Sequence, residues 1–213
     1  MKISMTGRKQ DIRNKKTVTV IFVEGDADEL IVNRLLDFYR ENGWRCQDDL
    51  EVKNTNGFPS ESKMKKKLAQ IQQTHNKMQV EFNTLFCEYD TDIFEKGIQE
   101  KPNWKKVEDN LKRQYDISHF SRIEAKTSIE DWILDDLEGL LQALGLPKDT
   151  KLRGSSGQEK VKSLFLKKSM VYDRHKGKLK IKPIIDKLDI GKIREARKKE
   201  LREFEKLLGI KLN

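Results

Sequence analysis

Apolar and polar positions follow two rhythms along this chain, and the changes from one to the other mark out its elements. Residues 17–23 (TVTVIFV) are β-branched and apolar almost without a break, as a strand covered on both faces requires. Directly afterwards Leu30, Ile31, Leu35, Leu36, Phe38 and Tyr39 recur at helical spacing over 26–42, and Gly43 supplies the stop. The opening unit is strand, sharp turn, helix. A short second strand is predicted at 50–53, followed by the turn signal Asn-Thr-Asn-Gly and a lysine-rich helix from Ser60 onwards. Residues 82–89 (FNTLFCEY) give a third strand that runs into Asp90-Thr91-Asp92. A helix over 104–115 and a fourth strand over 118–124 come next.

Ser128 is expected to cap one long helix with a buried stripe of Ile129, Trp132, Ile133, Leu137, Leu140, Leu141 and Leu144, ended by Gly145 and Pro147. Beyond it the composition shifts to a Gly-Ser-Ser-Gly turn, a short helix over 159–166, a basic loop and a charged helix over 191–208. Strands alternating with helices predict an α/β fold: a mainly parallel sheet of about four strands, flanked by helices and joined by right-handed crossovers. The expected organisation is a basic arm over 1–16, an α/β domain over 17–147 and a helical appendage over 148–213. The stripe of Ile190, Ile193, Leu201, Phe204 and Leu208 leaves two uses open, covering the sheet or pairing two copies as a homodimer.

Charge narrows the partner class. Lysine and arginine number 44 against 35 acids, a net charge of +9, which points to a polyanion, nucleic acid first. Cys46 and Cys87 lack metal-knuckle spacing and read as reduced thiols. No apolar run reaches the length of a membrane span and no signal-peptide core is visible, so the expected location is the cytoplasm with no membrane contact. His75, His119 and His175 have no ligand spacing, which argues against a histidine zinc site. Of the tryptophans, Trp132 lies on the apolar helix face and belongs to the core.

In an open parallel sheet, reactive groups collect beyond the carboxyl ends of the strands. Glu24 follows the first strand, Asp90 and Asp92 follow the third, and Glu130 with Asp131 lies just past the fourth. Carboxylates meeting at one rim repel each other unless a cation neutralises them, and hard oxygen ligands favour Mg²⁺ or Mn²⁺.

These residues resemble the TOPRIM family of topoisomerases, DnaG-type primases and OLD-like nucleases. The resemblance rests on Val-Glu-Gly within IFVEGDADELIVNRLL and on Tyr-Asp-Thr-Asp within TLFCEYDTD, with Asn56-Gly57 as the turn after the second strand. It covers about the first two-thirds of the chain. It implies Glu24 as a metal ligand or general acid/base, Asp90 and Asp92 as principal metal ligands, and Glu130 as a further ligand with Asp131 as its rival. Asp28 or Glu29 could join the first acidic turn. A lysine near the scissile phosphate is also implied, with Lys160, Lys176 and Lys182 as candidates. Lys160 follows a glycine-rich turn whose backbone donors could receive a phosphate. The chain has room for neither a strand-passage nor a template-binding module, so a small stand-alone nuclease fits, similar to the OLD-like and RloB-like effectors that work with an ATPase partner in anti-phage defence. Two other readings remain open: a non-catalytic nucleic-acid-binding or assembly module on the same fold, and a receiver-like domain in which Asp90 imitates the phosphorylatable residue.

Overall fold

Four β-rich runs assemble side by side in a computed structural model that describes residues 16–75, 80–175 and 177–211. The expected basic arm lies outside these residues except for Lys16. The strands are β1 (Lys16–Val23), β2 (Asp49–Asn54), β3 (Val80–Asp90) and β4 (His119–Ala125). All pairings are parallel and the order is β2-β1-β3-β4, which is the α/β sheet expected from the sequence. Parallel pairing forces a crossover between successive strands. These crossovers are α1 (Asp26–Glu41), α2 (Glu61–Thr74), and α3 (Asp92–Glu95) together with α4 (Trp104–Tyr115). After β4 the chain continues through α5 (Ile129–Leu134), α6 (Leu137–Ala143), α7 (Gly157–Leu166), α8 (Lys178–Ile185), α9 (Ile190–Ala196) and α10 (Lys198–Leu207).

Each face of the sheet has its own core. Ile21, Val23, Phe86, Ile123 and Ala125 face one layer, where α1 and helices α5 to α10 bury residues such as Ile31, Trp132, Phe165, Ile185 and Phe204. The C-terminal helices therefore share a core with α1 and the sheet. Val18, Val20, Phe22, Leu85, Cys87 and Tyr89 face the other layer, formed by Met64 and Leu68 of α2 with Val107 and Leu111 of α4. The second strand of each pair keeps this alternation with one interruption. Val18 pairs with Phe82 but Val20 pairs with Leu85, so β3 carries one extra residue there. Phe82 and Leu85 consequently point to the same layer despite being an odd number of residues apart.

Helix boundaries depart from the sequence reading in three places. The single helix expected after Ser128 is broken into α5 and α6, because Asp135 and Asp136 are committed to tertiary donors. Asp135 is paired with Arg197, whose Nη2 also donates to the Asp131 carbonyl at 3.1 Å. Asp136 caps α6 by accepting from the Gly139 N–H at 3.3 Å and accepts from the Asp189 N–H at 2.8 Å. Ser128 makes no side-chain cap and donates instead to Asp131 at 3.1 Å. The last charged helix is likewise broken at Arg197, whose side chain turns toward α5. Finally, the expected basic loop contains α8, held in the core by Ile181, Ile184 and Ile185. Cys46 and Cys87 are unpaired. Among the described residues, no helix is long and apolar enough to cross a membrane.

Candidate metal centre

The turn leaving β1 is built for close approach. Glu24 ends the run of buried strand residues, and Gly25 opens α1 against the loop between α7 and α8. A Cβ on Gly25 would sit 2.7 Å from the Arg174 carbonyl oxygen and 3.2 Å from Asp28 Oδ2, so only glycine lets the loop lie there. That carbonyl accepts from the Asp26 and Ala27 N–H groups at 2.7 and 3.1 Å, which satisfies two of the free donors at the start of α1. On the opposite side, the Gly57 N–H donates to the Glu24 carbonyl at 2.7 Å. Gly57 has φ +97°, a left-handed conformation that favours glycine. The turn that carries Glu24 is thus held by backbone hydrogen bonds on two sides.

β3 delivers the second group. Its alternation puts Glu88 and Asp90 on the layer that α1 covers, where Asp28 projects from the first turn of that helix. All three are buried, and one carboxylate oxygen from each lies within 4.8 Å of the others. Asp90 also donates its backbone N–H to Glu24 Oε1 at 3.2 Å, joining the ends of β1 and β3. Its own Oδ1 accepts the Ile129 N–H at 2.9 Å, from the first turn of α5. Glu130, next along, is fully buried and accepts from the Tyr172 hydroxyl at 2.9 Å.

Arg174 enters this group from the α7–α8 loop. Its guanidinium contacts Asp90, donates to Asp28 Oδ1 at 2.8 Å, and lies 3.8 Å from Glu24 and 3.9 Å from Glu130. Four carboxyl groups, Glu24, Asp28, Asp90 and Glu130, therefore surround one guanidinium, and Glu88 adds a fifth acid beside Asp28 and Asp90. The charge does not balance. Burial pushes the Glu24 carboxyl up to about 7, with Asp28 adding to the rise and Arg174 opposing it. Burial raises Asp90 and Glu130 as well, again against the pull of Arg174. Glu88 is raised well above the carboxylate range, by complete burial and then by repulsion from Asp28 and Asp90. Asp28 Oδ2, both Glu88 oxygens and Glu130 Oε2 are buried without a hydrogen-bond donor. Buried acceptor atoms left without protein donors in an acidic pocket have the chemistry that a hard cation satisfies.

The structure brings Glu24, Asp28, Asp90 and Glu130 together, sets Asp92 at their solvent edge, and separates the other candidates. Asp92 opens α3 at the solvent side of the rim, close enough to raise Glu24, and is paired with Lys96 at 2.6 Å. Asp131, the rival of Glu130, turns away: a Cβ on Gly157 would lie 2.7 Å from its carboxyl. Asp28 joins the acidic group, whereas Glu29 pairs with Lys178 at 2.6 Å. Lys182 pairs with Asp186 at 2.6 Å, and Lys176 lies outside the described residues. Among the described residues, no hydrogen bond or ion pair joins the Lys160 ammonium to the acidic group. The serine turn before it is also engaged, because the Ser155 N–H and hydroxyl both donate to Glu159 Oε2, at 2.7 and 2.8 Å.

Two participants escaped the sequence reading. Glu88 had a signal, its two-residue spacing from Asp90, hidden inside an apolar strand. Arg174 had none, being 84 residues from Asp90 and 146 from Asp28. Comparison with family models, with curated proteins and with solved structures finds no match for this chain.

Proposed function

We propose that this protein is a metal-dependent phosphodiesterase that cleaves DNA or RNA, with Mg²⁺ or Mn²⁺ held at the carboxyl ends of β1 and β3 by Glu24, Asp90 and Asp92, and with Glu130 beside them. The observation that carries the reading is the convergence of Glu24, Asp28, Asp90 and Glu130 on one guanidinium at the strand ends, with Glu88 behind them, a set of acids that a single arginine does not neutralise. A bound divalent ion at such a site supplies an acidified water and positive charge opposite a phosphate. The chain's own residues set the stage for that chemistry. Glu24, whose carboxyl burial pushes up to about 7 in the metal-free site, is placed either to hold the ion or to take and give a proton beside it, and its tie to the Asp90 N–H fixes its orientation. Asp92 stands at the solvent edge, where a phosphate could approach.

A groove of about 930 Å³ starts beside this rim at Thr91 and carries Lys101, Arg122, Lys126, Lys199 and Arg202 against four glutamates. Together with the net charge of +9 it supports a polyanionic substrate. The TOPRIM resemblance extends the proposal to an effector of an ATPase partner in anti-phage defence. One observation favours a second reading: Arg174 already bridges Asp28 and Asp90, so a non-catalytic nucleic-acid-binding module could use the guanidinium as its permanent counter-ion.

The deciding experiment incubates purified protein with mixed DNA and RNA in Mg²⁺ or Mn²⁺, beside an Asp90→Ala, Asp92→Ala variant. Loss of two ligands should lower cleavage by at least about a hundredfold. Equal cleavage by the variant would place the chemistry elsewhere, and binding without cleavage, unchanged on removal of metal, would favour the second reading.

A further inference from the structure

We infer that a second, deeper cation site lies behind the rim, formed by Asp28, Glu88 and Asp90, and that Glu88 is its defining ligand. Glu88 has no exposure to solvent, and neither of its carboxyl oxygens has a hydrogen-bond donor. An isolated carboxylate in such a place is costly, and a side chain as long and flexible as glutamate could be replaced there by leucine or valine without changing the strand. Its flanking residues in β3, Phe86 and Cys87, show that the strand itself asks for apolar side chains at this depth.

The neighbouring groups explain what the carboxyl faces. Arg174 engages Asp28 through Oδ1 and Asp90 through Oδ2, and it makes no hydrogen bond to Glu88. Asp28 Oδ2, buried and without a donor, completes the free set with the two Glu88 oxygens. One oxygen each from Asp28, Glu88 and Asp90 lies within 4.8 Å of the others, a span that a hard divalent ion closes by drawing oxygens to a little over 2 Å from itself. The guanidinium and the cation then neutralise opposite sides of the same acids. Asp90 would be shared between this ion and the rim ion. The deep site stands on Glu88 and Asp28 and does not depend on the hydrolytic reading.

The test is calorimetric titration with Mn²⁺ at pH 8 of wild type, Glu88→Gln, Asp28→Asn and Asp92→Asn, with folding checked by circular dichroism, and anomalous diffraction from crystals soaked in Mn²⁺. Glu88→Gln removes a charge without removing bulk and should fold. It should weaken one binding event by at least about tenfold while leaving any rim event in place. Asp28→Asn should act on the same event, and an anomalous peak should fall among Asp28, Glu88 and Asp90. If Asp92→Asn leaves binding intact while Glu88→Gln abolishes it, the deep site stands and the rim assignment falls. Identical isotherms for wild type and Glu88→Gln, or a Mn²⁺ peak only at the rim, would overturn the inference and leave Glu88 as a buried neutral acid.

Discussion

Raising the pH in the absence of divalent ions should destabilise this protein, and adding them should reverse the effect. Glu24 has its carboxyl raised from an ordinary 4.5 to about 7 in the folded chain. The folded state therefore holds its proton more tightly than the unfolded state, so this contribution is complete below about pH 4.5 and is lost as pH rises through 7. A shift of that size corresponds to something on the order of 3 kcal/mol, a large part of the 5–15 kcal/mol that usually separates folded from unfolded chains. Asp90, Glu88 and Glu130 are shifted in the same direction and extend the loss to higher pH. A divalent ion present at a hundred times its dissociation constant returns about 2.7 kcal/mol, enough to restore most of the Glu24 contribution. The assay is urea unfolding followed by circular dichroism from pH 5 to pH 8, once with EDTA and once with Mg²⁺ or Mn²⁺. The EDTA curve should fall with pH, the metal curve should stay level, and Glu24→Gln should make the EDTA curve shallower, the remaining slope coming from the other raised acids. A metal-free stability that is constant or rises over this range would refute the charge accounting of the rim.

Arg174→Met leaves Asp28 and Asp90 without their buried partner and should cost about 3–5 kcal/mol in EDTA at pH 8, with a smaller loss in Mn²⁺, measured by the same unfolding curves. Gly25→Ala places a methyl group 2.7 Å from the Arg174 carbonyl, so it should lower stability by about 1–3 kcal/mol and weaken metal binding by displacing the Arg174 loop, readable by calorimetry. Lys160→Ala, at a side chain with no tie to the acidic group, should keep cleavage within about threefold of wild type; a loss of a hundredfold or more would return this lysine to the phosphate.

Much of the architecture was legible because burial imposes periodicity. β1 and α1 were readable from an unbroken β-branched run followed by apolar residues at helical spacing, and α4 was found at its observed limits, Trp104–Tyr115. Glu24 and Asp90 were legible for the same reason, since both stand where such strands stop. The break between α5 and α6 was invisible, because the stripe from Ile129 to Leu144 keeps its helical rhythm across it; only the pair Asp135-Asp136 hinted that acids were waiting for donors elsewhere. α8 was masked by its lysines, although Ile181, Ile184 and Ile185 carry the spacing of a buried face. Arg174 lay beyond any local rule, as its role depends on a loop closing over α1 through Gly25.

The supernumerary residue of β3 has a consequence for which changes of length this strand tolerates. Upstream of it, even-numbered positions such as Phe82 look toward α2 and α4; downstream, even-numbered Phe86, Glu88 and Asp90 look toward α1. Removing one residue at 83 or 84 would leave two steps of β3 opposite two of β1, so Phe82 and Leu85 would keep their shared layer and Glu88 and Asp90 their place under α1. A single-codon deletion at 86 or 87, where the ladder is regular, has no such slack: it would turn Glu88 and Asp90 toward α2 and α4 and dismantle the charge centre while every side chain that composes it is still encoded.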